Sequence, residues 1–188
     1  MILQIPPELE MTNDQFFHLC QLNPDYPMER TATGELMIMS PAGSETGNRN
    51  LKLVQQLANW TDKDGTGIAF DSSAGFTLPN GATRAPDAAW INLKRWNAIP
   101  GSVQVKFAPL CPDFVVELRS PTDSLPILKD KLQEYMENGA SLGWLIDRQN
   151  RQVYIYRPSM EVECLNNPAT VSGYPILPGF LLNLQPIW

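Results

Sequence analysis

The chain is organised around residues 113–147, which open with Asp113-Phe-Val-Val-Glu-Leu-Arg-Ser-Pro-Thr-Asp-Ser124. Apolar and β-branched residues fill 114–118, so this run predicts a buried strand. Ser120-Pro121-Thr122-Asp123 ends it, because proline cannot donate to a strand ladder and the other three favour turns. A helix is predicted from a cap at Ser124 to about Asn138, and residues 142–147 predict a second strand. The pattern is that of a strand–helix–strand unit.

Two acids stand out against this pattern. Glu117 interrupts the apolar run, where a carboxylate is unfavourable unless it is paired, hydrogen-bonded or bound to a cation. Asp87 lies in another strand-like run, Arg84 to Ile91. Two acids on neighbouring strands beside a lysine suit divalent-metal and phosphate chemistry. The alternative is structural: Glu117 faces solvent from a half-exposed strand, and Asp87 serves a turn after Pro86.

Three basic residues could accompany these acids. Lys129 and Lys131 flank opposite sides of the predicted helix's apolar stripe, so the helical wheel does not choose between them, and both also suit a solvated surface. Arg119 points to the same strand face as Glu117. It either pairs with that acid or contacts a phosphate.

Composition narrows the classes of function. A length of 188 residues suits one domain, 1–188. The formal net charge of −6 argues against a broad basic surface for nucleic acid, although a local basic patch remains compatible with it. His18 is the single histidine, which removes most Ser-His-Asp schemes and multi-histidine metal sites.

The cysteines and the N-terminal region bear on the expected cellular location of the protein. Cys20, Cys111 and Cys164 are odd in number and widely spaced, without a CxxC motif. They indicate neither a disulfide framework nor a zinc site, so a reducing cytoplasm fits best. The sequence shows no signal peptide and no membrane span, and we expect a cytoplasmic protein without a membrane partner.

Other elements are predicted from periodicity and turn residues. The helices are 12–20, 44–63 and 93–98, and the strands include 68–70, 75–78 and 152–157. A hairpin is predicted at 30–40, and Asn80-Gly81 predicts a turn leading into the strand that carries Asp87. Residues 100–112 are predicted to be a loop.

The motifs together resemble a known family. The residues that carry the resemblance are Met39-Ser-Pro41 before Glu45, Ala85-Pro-Asp87, the run 113–123, Lys131-Leu-Gln-Glu-Tyr135 and Gly143-Trp-Leu-Ile-Asp147. The chain is similar, over about residues 10–185, to the restriction-endonuclease-like family common in cyanobacteria, within the PD-(D/E)XK nuclease superfamily. The resemblance implies an α/β fold, a mixed β-sheet core flanked by helices. It also implies Mg²⁺-dependent hydrolysis of DNA phosphodiester bonds, with Mn²⁺ as a substitute ion.

The resemblance also implies residue roles. Asp87 and Glu117 would be metal ligands, and the backbone carbonyl of Leu118 a third. The superfamily pattern has lysine two residues after the acid, where this chain has Arg119. In this family the lysine looks to have moved to the following helix, and the Lys-Leu-x-x-Tyr match favours Lys131, which would orient water or steady the phosphate.

Further expectations complete the hypothesis. Glu45 resembles the acid on the superfamily's early helix, although an acid in a first turn is also explained by the helix dipole. Arg119 and Lys129 are candidate phosphate contacts. We expect DNA as substrate and a homodimer, since a duplex is cut most simply by two related sites. One alternative is a catalytically silent module on the same fold that binds nucleic acid or protein, and another is nuclease action on RNA or on branched or damaged DNA.

Overall fold

The apolar run at 114–118 forms a buried strand inside a six-stranded sheet. We describe a computed structural model, which covers residues 1–5 and 9–188. Its strands are β1 (Ile2–Leu3), β2 (Met28–Arg30), β3 (Leu36–Ile38), β4 (Gly67–Asp71), β5 (Phe76–Thr77), β6 (Thr83–Arg84), β7 (Ala88–Asn92), β8 (Phe114–Leu118), β9 (Leu142–Asp147), β10 (Gln152–Tyr156), β11 (Glu163–Asn166), β12 (Thr170–Ser172) and β13 (Leu181–Asn183). Its helices are α1 (Asn13–Leu22), α2 (Ser44–Asp64), α3 (Leu93–Asn97), α4 (Gly101–Gln104) and α5 (Leu125–Glu137).

The predicted strand–helix–strand unit is confirmed. β8 and β9 pair in parallel, with Val116 opposite Trp144, and α5 connects them. The sheet order is β11–β10–β9–β8–β7–β4, and its other neighbouring strands are antiparallel. The expected α/β class, a mixed sheet flanked by helices, is therefore confirmed.

Alternation along β8 decides where Glu117 lies. Phe114, Val116 and Leu118 belong to the core on one face of the sheet, with side chains of α2. Val115 belongs to the core on the other face, with side chains of α5. Because successive strand residues face opposite sides, Glu117 shares the face of Val115 and lies under α5.

A second sheet lies beside the first, in the order β1–β3–β2–β6–β5. Its β2–β3 hairpin was predicted at 30–40 and is confirmed, although the first strand runs from Met28 to Arg30 and so ends where the predicted strand begins. The predicted helices at 12–20, 44–63 and 93–98 are confirmed within two residues at each end. α1 has a capping box between Thr12 and Gln15. No helix within the described ranges is long and apolar enough to cross a membrane.

Two local predictions need correction. The Asn80-Gly81 turn joins β5 to β6 within the second sheet and does not lead directly into the strand after Asp87. Pro86 lacks a backbone N–H, so the ladder stops there and the chain passes to the main sheet, where β7 begins one residue after Asp87. Residues 100–112 also contain the short helix α4.

The fold makes a stability prediction at α5. Leu132 is 0% exposed against the sheet, whereas Ile127 on the same helix is 54% exposed. We expect Leu132→Ala to lower the free energy of unfolding by about 2–4 kcal/mol, because it leaves a cavity. Ile127→Ala is the control and should change it by less than about 0.5 kcal/mol. Urea denaturation followed by circular dichroism measures both, and equal losses would contradict this packing.

Candidate active site

The inward face of α5 carries two polar side chains onto Glu117. Lys131 and Tyr135 are four residues apart and so share one helical face. Lys131 Nζ lies 2.8 Å from Glu117 Oε1. Tyr135 donates its hydroxyl to the same oxygen at 3.1 Å. Glu117 is only 4% exposed, so these contacts take the place of water around its carboxylate.

Glu29 on β2 meets the same lysine from the second sheet. Its Oε1 accepts a hydrogen bond from Lys131 Nζ at 2.8 Å and from the backbone N–H of Ala85 at 2.9 Å. Its Oε2 lies 3.2 Å from Nη1 of Arg84, whose Nε donates to Glu134 at 2.6 Å. Glu29 is 2% exposed, so Lys131 joins a buried acid of each sheet.

Asp87 is fixed at the end of β8. Its Oδ2 accepts the backbone N–H of Leu118 at 2.7 Å. β7 starts at the next residue, and Ala88 lies opposite Val116 in the antiparallel ladder. This register brings Asp87 close enough to Glu117 for their charges to interact, and that repulsion contributes to the raised pKa of Glu117.

The two buried glutamates respond oppositely to their surroundings. Burial raises the pKa of Glu117 to about 8; the ammonium of Lys131 opposes this rise, and the charges of Asp87 and Glu29 add to it. Burial also acts to raise the pKa of Glu29, but Lys131 and Arg84 outweigh it and the pKa is lowered. Glu29 is therefore the structural partner of the lysine, and Glu117 is the carboxylate whose charge the fold compensates less well.

The remaining members of the cluster follow the same physics. Burial raises the pKa of Asp87, against the opposing hydrogen bond from Leu118. Burial would lower the pKa of Lys131, but the ion pairs with Glu117 and Glu29 outweigh it and raise the pKa above its usual value. With Arg84 and Glu134, the cluster contains four carboxylates and two cationic side chains. Full ionisation would leave it with excess negative charge, which a divalent cation could compensate.

Comparison with known proteins places this chain in a family. The model of the Uma2 family, described as "Putative restriction endonuclease", matches residues 13–185. This chain belongs to the Uma2 family. The resemblance found in its motifs is thereby confirmed.

The fold has a solved counterpart. It is similar to the crystal structure of "a putative nuclease belonging to DUF820" from Anabaena variabilis ATCC 29413, with a TM-score of 0.72 and 20% identity. The match covers 89% of this chain and 90% of that chain. At this identity the similarity concerns the fold alone. A search of curated proteins finds no match.

The donor atoms of this acid–lysine cluster are of the kind that a hard divalent cation prefers. Within residues 1–5 and 9–188, no three His, Cys, Asp or Glu side chains are arranged to hold a metal ion. Mg²⁺, however, is commonly held by one or two carboxylates with waters and substrate phosphate supplying the rest. Asp87 and Glu117 provide two carboxylates at one end of β8, so the donor set suits such an ion. The role of the Leu118 carbonyl stays a prediction.

Glu45 is not joined to the other acids by any contact the structure records among the described residues. It is exposed in the first turn of α2 and pairs there with Arg49. Nη2 of Arg148, which follows β9, lies 3.6 Å from its Oε1. The observed partners of Glu45 are thus arginines, and its proposed part in catalysis stays a prediction.

Arg119 and Lys129 have partners away from Glu117. Of the two alternatives for Arg119, pairing with Glu117 is wrong, since Nη1 of Arg119 lies 3.1 and 3.0 Å from the two carboxylate oxygens of Asp147. Asp147 is 0% exposed on the adjacent parallel strand and needs a countercharge. Lys129 places its ammonium 4.1 Å from the centroid of the Tyr154 ring. The phosphate contacts expected of Arg119 and Lys129 stay predictions. Of the two lysines left open by the helical wheel, the structure puts Lys131 against the acids.

Sequence reasoning missed Glu29, Arg84, Glu134 and Tyr135 as members of this cluster. Tyr135 carried a usable signal, because it follows Lys131 by one helical turn, although its spacing also fits the apolar stripe. The sequence around Glu29 gave little signal of this role, since its strand has three residues and Lys131 lies 102 positions away. That contact depends on how the two sheets are placed, which no local pattern encodes.

The raised pKa of Glu117 makes a prediction about pH. Between its usual value of 4.5 and about 8, the folded protein holds a proton at Glu117 that the unfolded chain has lost. Stability contributed by this group therefore falls as pH rises through that window. Glu117→Gln removes this ionisation. The free energy of unfolding of the variant, minus that of the wild type, should therefore increase by about 1–3 kcal/mol as the pH rises from 5.5 to 8.5.

Urea titrations in EDTA across this pH range measure the effect. Glu161→Gln, at an exposed position, is the matched control and should follow the wild-type curve at every pH. Parallel curves for wild type and Glu117→Gln would show that the buried carboxylate is not the protonated group.

Proposed function

We propose that this protein is a metal-dependent endonuclease that hydrolyses DNA phosphodiester bonds at the Asp87–Glu117–Lys131 cluster. The observation that carries the proposal is the ammonium of Lys131, held 2.8 Å from a buried strand carboxylate beside a second acid. Membership of the Uma2 family supports the class of reaction.

Asp87 and Glu117 would hold the cation, with the backbone carbonyl of Leu118 as a third ligand. Mg²⁺, or Mn²⁺ in its place, supplies Lewis-acid stabilisation of charge on the phosphate and lowers the pKa of a bound water. The chain contributes a fixed frame for these donors. The N–H of Leu118 occupies one oxygen of Asp87, and Tyr135 orients Glu117.

Lys131 contributes a positioned positive charge. Its side chain is 12% exposed, and two carboxylates hold its ammonium group in place. A fixed ammonium can donate hydrogen bonds to a phosphate oxygen or to the attacking water without reorganising during the reaction. Glu29 is then a positioning residue, because it contacts the lysine ammonium from a strand of the second sheet.

A homodimer is part of the proposal, since two related sites would serve the two strands of a duplex. Sedimentation equilibrium at micromolar concentration measures the mass against the 21.1 kDa of one chain. A monomeric protein that nicks one strand per encounter would be consistent with the proposed hydrolysis and would contradict the proposed homodimer.

Replacing the helix lysines one at a time tests the assignment of Lys131. We expect Lys131→Met to lower the cleavage rate of supercoiled plasmid in Mg²⁺ or Mn²⁺ by about 10²–10³-fold, the effect of removing one positioned electrostatic group. Lys129→Met on the same helix should retain the rate within about threefold, because the half-buried ammonium of Lys129 lies 4.1 Å from the centroid of the Tyr154 ring rather than against the acids. Equal losses of cleavage rate in both variants would contradict the assignment of Lys131 to the site.

Calorimetry with Mn²⁺ separates the enzyme from a silent relative. We expect wild type to bind Mn²⁺ and Asp87→Asn to lose most of that binding, because one of two carboxylate ligands is gone. Asp62→Asn, on α2, is the control and should bind as wild type does. Nucleic-acid binding without Asp87-dependent metal binding or cleavage would favour the catalytically silent module.

A further inference from the structure

A groove opens beside the acid–lysine cluster on the side of the second sheet. Its volume is about 490 Å³, within the range of about 300–1,000 Å³ that small-molecule sites occupy. Tyr26, Met28, Thr83, Ala85 and Phe107 are among the residues that line it. A smaller pocket of about 300 Å³ continues past the shared wall of Phe107.

The groove is connected to the cluster through the backbone. Ala85 lines the groove and donates its N–H to Glu29 Oε1, the oxygen that also accepts from Lys131. Met28 and Arg84, which also line it, are the chain neighbours of Glu29 and Ala85. Two hydrogen bonds therefore separate the groove wall from the ammonium of Lys131.

The lining has the chemistry of a site for an unpaired nucleobase. Tyr26 is 59% exposed and offers an aromatic face, with Phe107 elsewhere in the wall. Unstacked bases are bound by stacking on such rings and by hydrogen bonds to their edges. The groove also has amide and hydroxyl groups suited to base edges, from Gln21, Asn23, Ser72 and Thr83.

Two further observations favour a ligand here. Thr83 is 2% exposed, and its Oγ1 has no hydrogen-bond partner among the described residues. Buried hydroxyls without partners are unusual, and Thr83 is among the residues that line the groove. No Asp or Glu stands among the described residues that line the groove, although the chain has a net charge of −6. An anionic strand would thus meet no carboxylate along this wall.

We propose that the groove binds a base of the substrate strand turned out of its stack, within a few nucleotides of the phosphate that is cut. This inference rests on the proposed nuclease function and specifies its substrate as nucleic acid with an unpaired segment: a single strand, or a duplex opened by a mismatch or bulge. An intact duplex would have to unpair the base, which disfavours it by a few kcal/mol and so makes it the poorer substrate.

Binding tests the groove apart from cleavage. Fluorescence anisotropy measures the affinity of Lys131→Met protein, in Mn²⁺, for a fluorescein-labelled twelve-nucleotide single strand and for the matched duplex. Tyr26→Ala should weaken single-strand binding about tenfold through loss of stacking. Ser72→Trp fills the groove from its exposed edge and should weaken it at least as much. Tyr174→Ala is the control, since Tyr174 is 68% exposed and does not line the groove.

The two proposals fail in different ways. The groove assignment is overturned if Tyr26→Ala and Ser72→Trp leave single-strand binding unchanged. It is also overturned if the wild type prefers an intact duplex to a single strand or a bulged duplex. Groove-dependent binding by a wild-type protein that cuts neither substrate overturns the nuclease and keeps the groove. Circular dichroism melting of each variant establishes that a loss is not unfolding.

Discussion

The buried ammonium of Lys131 is the interaction on which the rest of the arrangement depends. It lies 2.8 Å from a carboxylate oxygen of Glu117 and 2.8 Å from one of Glu29. Glu117 is on β8 of the main sheet and Glu29 on β2 of the second sheet. One side chain of α5 thus connects both sheets, and Arg84 and Glu134 extend the connection by a further pair of contacts. The positions of the acids relative to one another therefore depend on how the two sheets pack together.

Such a connection is a poor way to gain stability. Desolvating several charges offsets much of their mutual attraction, and apolar residues of similar volume often serve the fold as well or better. Glu117 illustrates this, because burial raises the pKa of its carboxyl to about 8 even with Lys131 in contact. Perturbed carboxyls in buried clusters are common at functional sites, where a ligand compensates the charge that the protein leaves uncompensated. This reasoning favours a chemical role for the cluster over a purely structural one.

The sequence indicated the cluster where the signal was local. A carboxylate inside an apolar strand conflicts with burial, and that conflict drew attention to Glu117, although a half-exposed strand with Glu117 facing solvent stayed open as the alternative. The helical wheel could not select Lys131, because it does not show how α5 is rotated over the sheet. The match to the Lys-Leu-x-x-Tyr segment of the family favoured Lys131 instead. Strand alternation placed Arg119 on the face of Glu117, yet its partner is Asp147 on the neighbouring parallel strand, since ion pairing depends on which strand lies alongside. Glu29 shows this limit more strongly, because only the packing of two sheets brings it to Lys131.

The segment 83–87 explains why the groove and the acids adjoin. Its first two residues form a strand of the second sheet, and a strand of the main sheet begins directly after its last. Pro86 prevents either ladder from continuing through the crossing. Asp87 follows Thr83, a residue that lines the groove, by only four positions. An extended strand rises about 3.3 Å per residue, so four residues of chain separate the two positions by at most about 13 Å, a distance that a few nucleotides of a substrate strand would span. A base in the groove and a phosphate at the acids would then be positioned by the same short stretch of backbone, with Glu29 fixing its middle through the N–H of Ala85.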